Sequence, residues 1–249
     1  MANERKLGRK AVKTDTRTLR LERYFTAALP APPPARDWSN GVKNWGMLLN
    51  DTLGDCTIAG VGHAVQAFSV NTGREAAVGD AEVLSYYEAW DGYRPADPNS
   101  DQGGICLDVL TSWRKYEFCG HRLLAFAIVL PANAQHVQQA IELFGGAYIG
   151  LNVPAFIMAD SPDIPELWDV TADDGGIAGG HCVFVVGYDA ETVTFVSWGS
   201  LYRMTWAFWD KYVDEAYALI SPDWIGTKGD APNGFALAAL EADLVEVTN

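Results

Sequence analysis

The chain has 249 residues, of which 49% are hydrophobic and nine are tryptophan, a composition that excludes a disordered chain and supplies a sizeable core. Its formal net charge is −14, yet the first 24 residues carry eight basic and three acidic side chains, a local +5 that leaves −19 on the rest. So acidic a body repels nucleic acid and anionic membrane, and neither is expected as a partner.

The basic arm suits an acidic protein partner, or it folds back onto its own acidic body. The longest apolar stretch, "LLAFAIVLPA", is about half of what a bilayer requires, and "MANERKLGRK" lacks the apolar segment of a secretory signal. A cytoplasmic protein is therefore expected. Four cysteines (Cys56, Cys106, Cys119 and Cys182) are too few for a disulfide-stapled scaffold, and none has zinc-site spacing, so neither a metal nor another cofactor is expected.

In chain order, residues 1–36 form the basic arm and a proline-rich linker, "LPAPPPARDW". Residues 37–130 read as a helical lobe. Ile58, Val61, Val65 and Phe68 recur at helical spacing after Cys56, residues 80–90 give a second helix with Val83, Tyr87 and Trp90 on one face, and 107–118 a third. "GYRPADPNSDQGG" between the last two is a loop. Residues 131–230 read as a strand-rich lobe: "NAQHVQQAIELFGG" is an amphipathic helix closed by glycine, then "AYIGLNVP", "HCVFVVGYD" and "TVTFVSW" are strands. Residues 161–180 read as a polar loop, and 231–249 as a closing helix with Leu237, Leu240 and Leu244 inward. The fold class is α+β, with a cleft expected between the lobes.

Cys56 stands where "NDTLGDC" turns into a helix, and a helix N-terminus favours a thiolate. A base for it can come from anywhere in the sequence. His63 lies about two turns along the same helix at roughly 1.5 Å per residue, too far for contact, and reads as a core histidine. His121 and His136 have no supporting context. His181 follows Gly179 and Gly180, which let a second backbone approach closely, and opens the strongest strand.

In order and spacing, "DWS", "NDTLGDCTIAG", "GGICLDVLTSWRKYEFCG", "GGHCVFVVGYD" and "FVSWGS" resemble the motifs of the papain-like cysteine peptidases, above all their bacterial members. The resemblance implies a two-lobe fold, with a helical N-terminal lobe and an antiparallel, β-barrel-like C-terminal lobe. It also implies hydrolysis of a peptide or amide bond in a peptide or protein substrate. By the same likeness Cys56 is the nucleophile, His181 the general base, and Asn50 the oxyanion-stabilising amide, alongside the Cys56 backbone N–H. Gly103, Gly104, Gly180 and Trp198 then line the substrate cleft, Trp198 shielding the imidazole.

Three departures set a second reading beside the first. Val196 falls where the family has the asparagine that orients the imidazole, and Ser197, next along the strand, is expected to point the other way. Asp55, beside Cys56, would raise the thiol pKa, or else caps the helix or faces solvent. The sequence after "SWGS" rebuilds a cleft wall, and the arm is far shorter than the family's inhibitory propeptides and is not read as one. The second reading is a catalytically inactive binding or structural protein, such as a virion-associated component of a phage particle.

Overall fold

A computed structural model describes residues 5–25, 31–73, 76–159 and 163–225; the expected closing helix and the end of the strand-rich segment lie outside them. The elements are β1 (Leu19–Arg20), β2 (Arg36–Asp37), α1 (Cys56–Asn71), α2 (Asp80–Tyr86), α3 (Cys106–Tyr116), β3 (Ala125–Ile128), α4 (Ala134–Phe144), β4 (Ala147–Pro154), α5 (Ala155–Met158), β5 (Leu167–Trp168), β6 (Ile177–Tyr188), β7 (Thr192–Ser197), β8 (Ser200–Thr205), α6 (Trp206–Tyr212), β9 (Val213–Ile220) and α7 (Pro222–Ile225).

The helix α1 carries no charged residue and is buried on every side from Cys56 to Ser69, as a helix wedged between two layers must be. It approaches the sheet closely at Gly60, where a Cβ would lie 3.0 Å from the Tyr148 ring and 3.4 Å from Cys182 Sγ. The second expected helix ends early: α2 stops at Tyr86 and a single π-helical turn, Tyr87–Asp91, completes it. Val83 and Tyr87 are buried and Trp90 only half so. In α4 the Asn133 side chain accepts from the His136 N–H and Gly145 closes the helix at φ 75°, the cap pair that its flanking sequence announces.

The sheet runs β1-β3-β9-β4-β6-β7-β8-β5, with β2 also on β6. It is open, ending on short strands rather than closing into a barrel. β6 begins at Ile177, so Gly179 and Gly180 belong to a strand and the expected loop is shorter. β6 is buried on both sides of the sheet. His181, Val183 and Val185 face one side, the last two packing with Ile141, Phe144 and Phe195, while Cys182, Phe184 and Val186 pack against α1 with Tyr148 and Val196. The segment after "SWGS" becomes β8 and α6, and Phe208, Trp209 and Tyr212 join the first of these cores.

The described part of the arm folds back onto the body. β1 pairs with β3, and Leu21 and Tyr24 are buried behind it. No described helix is long and apolar enough to cross a membrane.

Candidate active site

Cys56 begins α1 and is fully buried. The turn before it is tight: Leu48 and Leu49 both adopt positive φ (54° and 64°), and the N–H groups of Thr52 and Leu53 donate to the Leu49 carbonyl at 2.8 Å each. Burial pushes the Cys56 thiol well above its ordinary pKa, and the Cys182 sulfur and the Asp55 carboxyl add to the rise; the N–H groups of Cys182 and Gly8, directed at the sulfur, only partly offset it. The helix N-terminus does not suffice to ionise a thiol this dry. Asp55 neither faces solvent nor caps α1. It is fully buried, no hydrogen bond of good geometry reaches its carboxyl oxygens, and burial holds its pKa well above the carboxylate range.

His181 lies on β6, fully buried, with its ring stacked on Trp198 at 4.5 Å and 15°. Trp198 reaches that position because Trp198 and Gly199, at φ 46° and 73°, form the two-residue turn between β7 and β8. His181 Nε2 is 2.7 Å from Ser197 Oγ. The expectation that Val196 leaves the imidazole without an orienting partner is thereby corrected, and the reason is strand parity. Phe184 pairs with Val196, so these two share the face toward α1, and the odd steps to His181 and Ser197 bring both to the opposite face. Burial lowers the imidazole pKa to about 3, with Arg9 and His63 contributing. The other ring nitrogen, Nδ1, is buried and has no hydrogen-bond partner. No hydrogen bond links it to the thiol; what joins the two residues is the Cys182 amide, one step from the imidazole, aimed at the Cys56 sulfur.

Asn50 is buried in the turn before Cys56, where its Nδ2 donates to the Leu53 carbonyl at 3.3 Å. Gly103 and Gly104 lie across from Gly180, on a loop fixed by Tyr87: its hydroxyl accepts from the Gly103 N–H (2.9 Å) and bonds Asp101 (2.6 Å), which itself accepts from the Gly54 N–H (2.9 Å). Among the described residues no three His, Cys, Asp or Glu side chains converge as a metal site requires.

Between these two walls runs the arm itself. The Lys6 N–H donates to the Asn50 carbonyl (3.2 Å), Trp198 Nε1 to the Lys6 carbonyl (3.2 Å), the Gly104 N–H to the Gly8 carbonyl (2.9 Å), the Arg9 N–H to the Gly180 carbonyl (2.9 Å) and the Lys10 N–H to the Gly104 carbonyl (2.8 Å). Gly8 passes over the thiol. A Cβ there would lie 1.8 Å from the Gly54 carbonyl oxygen, and one on Gly103 would lie 1.8 Å from the Gly8 oxygen, so the contact is glycine against glycine. Beyond it the Arg9 guanidinium is buried against Asp214, Glu215 and Asn152. Residues 6–10 of the arm thus lie as an extended stretch between the two walls.

Sequence reasoning set Ser197 aside, although counting parity from the strand pairing would have recovered it. It did not find Gly8, Arg9, Asn152, Asp214 or Glu215. Their only trace is a glycine inside the basic run "RKLGRK".

No family model matches the chain, and neither does any curated protein. Solved structures do. Xylellain, a cysteine protease from Xylella fastidiosa, superposes with a TM-score of 0.69 at 13% identity, over 88% of this chain and 97% of that one. ProCathepsin B S9 from Trypanosoma congolense gives 0.60 at 11% identity, over 87% and 86%. Digestive procathepsin L 3 of Tenebrio molitor larval midgut gives 0.53 at 12%, over 88% and 76%. The fold is papain-like.

Proposed function

We propose that the chain is a cysteine hydrolase of peptide or amide bonds, acting through Cys56 and His181 and held closed by its own arm. The observation that carries this reading is the division of labour on the imidazole: Nε2 is bonded to Ser197 while Nδ1 is buried without a partner. A buried nitrogen left unpaired costs about 1–3 kcal/mol, which is tolerated where a proton is to be received. The similar structures, described as cysteine proteases and procathepsins, support it by analogy of fold.

With a substrate in place of the arm, Nε2–H donates to Ser197 Oγ and leaves the Nδ1 lone pair free. Nδ1 takes the Cys56 proton as Sγ attacks the carbonyl carbon, and the oxyanion is met by the Cys56 backbone N–H, with Asn50 as second donor. The imidazolium returns the proton to the leaving amine. Water, deprotonated by His181, then hydrolyses the thioester. In the closed state both groups are neutral, since burial raises the thiol and lowers the imidazole.

The test uses the full chain with Gly8→Ala and Arg9→Ala together, the first clashing with Gly54 and the second giving up the ion pairs that hold the arm. This released chain is expected to cleave fluorogenic peptide amides, and to lose that activity with Cys56→Ala. A released, folded chain that cleaves none contradicts the hydrolase reading.

A further inference from the structure

We propose that Cys56, Cys182 and Cys106 form a thiol relay that absorbs peroxide: oxidation enters at the nucleophile, passes to Cys182 and comes to rest as a Cys106–Cys182 disulfide. The proposal concerns the regulation of the site described above and rests on the hydrolase reading for the reactivity of Cys56. All three thiols are free and buried, and they belong to one core cluster, where α1 meets the sheet.

Three elements set their order. Cys182 Sγ lies 3.4 Å from where a Cβ on Gly60 would stand. Cys56 is four residues earlier on α1, so the two positions share a face about 5.4 Å apart, and helical side chains lean toward the N-terminus. The Cys182 N–H is directed at the Cys56 sulfur, which sets the residue carrying the second thiol against the first. On the other side, Cys106 opens α3, and its thiol is within hydrogen-bonding reach of the Cys182 sulfur. The Tyr148 hydroxyl, anchored by donating to the Thr57 carbonyl at 2.8 Å, faces all three. Since no three such groups among the described residues converge as a metal requires, the sulfurs follow one another, with Cys182 in the middle.

That order gives each thiol a step. The Cys56 thiolate attacks one oxygen of hydrogen peroxide, the O–O bond breaks, and the leaving hydroxide takes the thiol proton to give water and Cys56 sulfenic acid. The Cys182 sulfur attacks the sulfenyl sulfur; its proton leaves with the hydroxyl as a second water, and a Cys56–Cys182 disulfide forms. Cys106 then attacks the Cys182 sulfur, and its proton passes to Cys56, which leaves as the thiol. In sum two thiols give two electrons and two protons to the peroxide, and the nucleophile returns without an outside reductant. The arm shields the point of entry, with Gly8 over Cys56 and Arg9 beside Cys106. Cys119, half-buried in the turn after α3 with its N–H donating to the Tyr86 hydroxyl, stands outside the cluster and serves as control.

The released chain described above is treated with equimolar hydrogen peroxide, its remaining thiols are alkylated in denaturant, and its disulfides are mapped by mass spectrometry. We expect a Cys106–Cys182 disulfide with Cys56 and Cys119 as thiols, a trapped Cys56–Cys182 disulfide when Cys106→Ala is added, and slower formation in wild type. With Cys182→Ala, Cys56 sulfinic acid is expected to rise at least about 10-fold, a small demand beside the effective molarity of a neighbouring group. No disulfide containing Cys182 overturns the relay, and so does a Cys106–Cys182 disulfide that forms as fast with Cys56→Ala. Should the double variant fail to fold, Arg9→Ala alone receives the same treatment, and the same readings decide. Hydrolysis is read separately. A chain that forms these disulfides but cleaves no peptide amide keeps the relay and loses the hydrolase; one that cleaves, yet whose Cys56 goes to sulfinic acid with Cys182 in place, keeps the hydrolase and loses the relay.

Discussion

The arm crosses the cleft between two kinds of burial. At Gly8 it lies over a thiol that, like the His181 imidazole, is fully buried and neutral, and Nδ1 of the imidazole is left without a hydrogen bond. One residue on, at Arg9, every carboxylate is matched, and although burial works against the charge, the hydrogen bonds the guanidinium donates to Glu215 and Asp214 outweigh it and raise its pKa. The first set gains nothing from being covered; the second gains its counter-ion. The difference teaches that the arm is held by its arginine and tolerated by the cysteine, so the grip and the chemistry can be broken apart.

The largest expected effect separates them at once. In the released chain, Cys56→Ala lowers kcat for a peptide amide by about 10⁶, the scale of losing a nucleophile, while wild type stays nearly inactive; cleavage by both would contradict the arm's role. Next comes the grip. Removing one partner of a buried ion pair costs about 3–5 kcal/mol, so Arg9→Ala is expected to lower the urea-unfolding free energy by that amount, and a loss under about 1 kcal/mol would mean that Glu215 and Asp214 do not depend on the arm.

A third prediction concerns the neutral end. Burial holds His181 down to about 3 and His63 to about 4, below the ordinary 6.5. Between those limits the unfolded chain binds more protons, so the histidine contribution to stability is complete above pH 6.5 and is lost as pH falls toward 3. Asp91, pushed up to about 6 by burial, acts in the opposite sense, so the measurement is differential. The advantage of wild type over His63→Gln is expected to shrink between pH 6.5 and 4, by up to about 1.4 kcal/mol per unit. A constant difference would show that His63 is not held neutral. The smallest effect is at Ser197. Losing its bond to Nε2 is expected to lower kcat of the released chain about 10-fold, about 1.4 kcal/mol, with KM unchanged. Ser197→Thr, which keeps the hydroxyl, should recover most of it, and a fall confined to KM would exclude an orienting role.

Much of this architecture is legible in local pattern, and what is not has a physical reason. The period of "NAQHVQQAIELFGG" and the β-branched run after His181 declare α4 and β6, because each buries its apolar residues in the way its period requires. Gly179 and Gly180 read as loop because glycine is the usual residue there, yet they are strand, kept small by the arm: a Cβ on Gly180 would lie 2.3 Å from the Arg9 carbonyl oxygen. Ser197 was hidden by motif alignment, which placed Val196 at the imidazole; only the pairing of Phe184 with Val196 settles which side each faces. The ion pairing of Arg9 has no local signature, because its partners lie 143 to 206 residues away.

The most direct test of the account is alkylation of the released full chain with limiting iodoacetamide near neutral pH, with the modified residue located by mass spectrometry. The account predicts selective labelling of Cys56, at least about 10-fold faster than Cys119 and slowed by His181→Ala, since a base within reach supplies the reactive thiolate. Labelling of Cys56 no faster than of Cys119, or unchanged by His181→Ala, would contradict it.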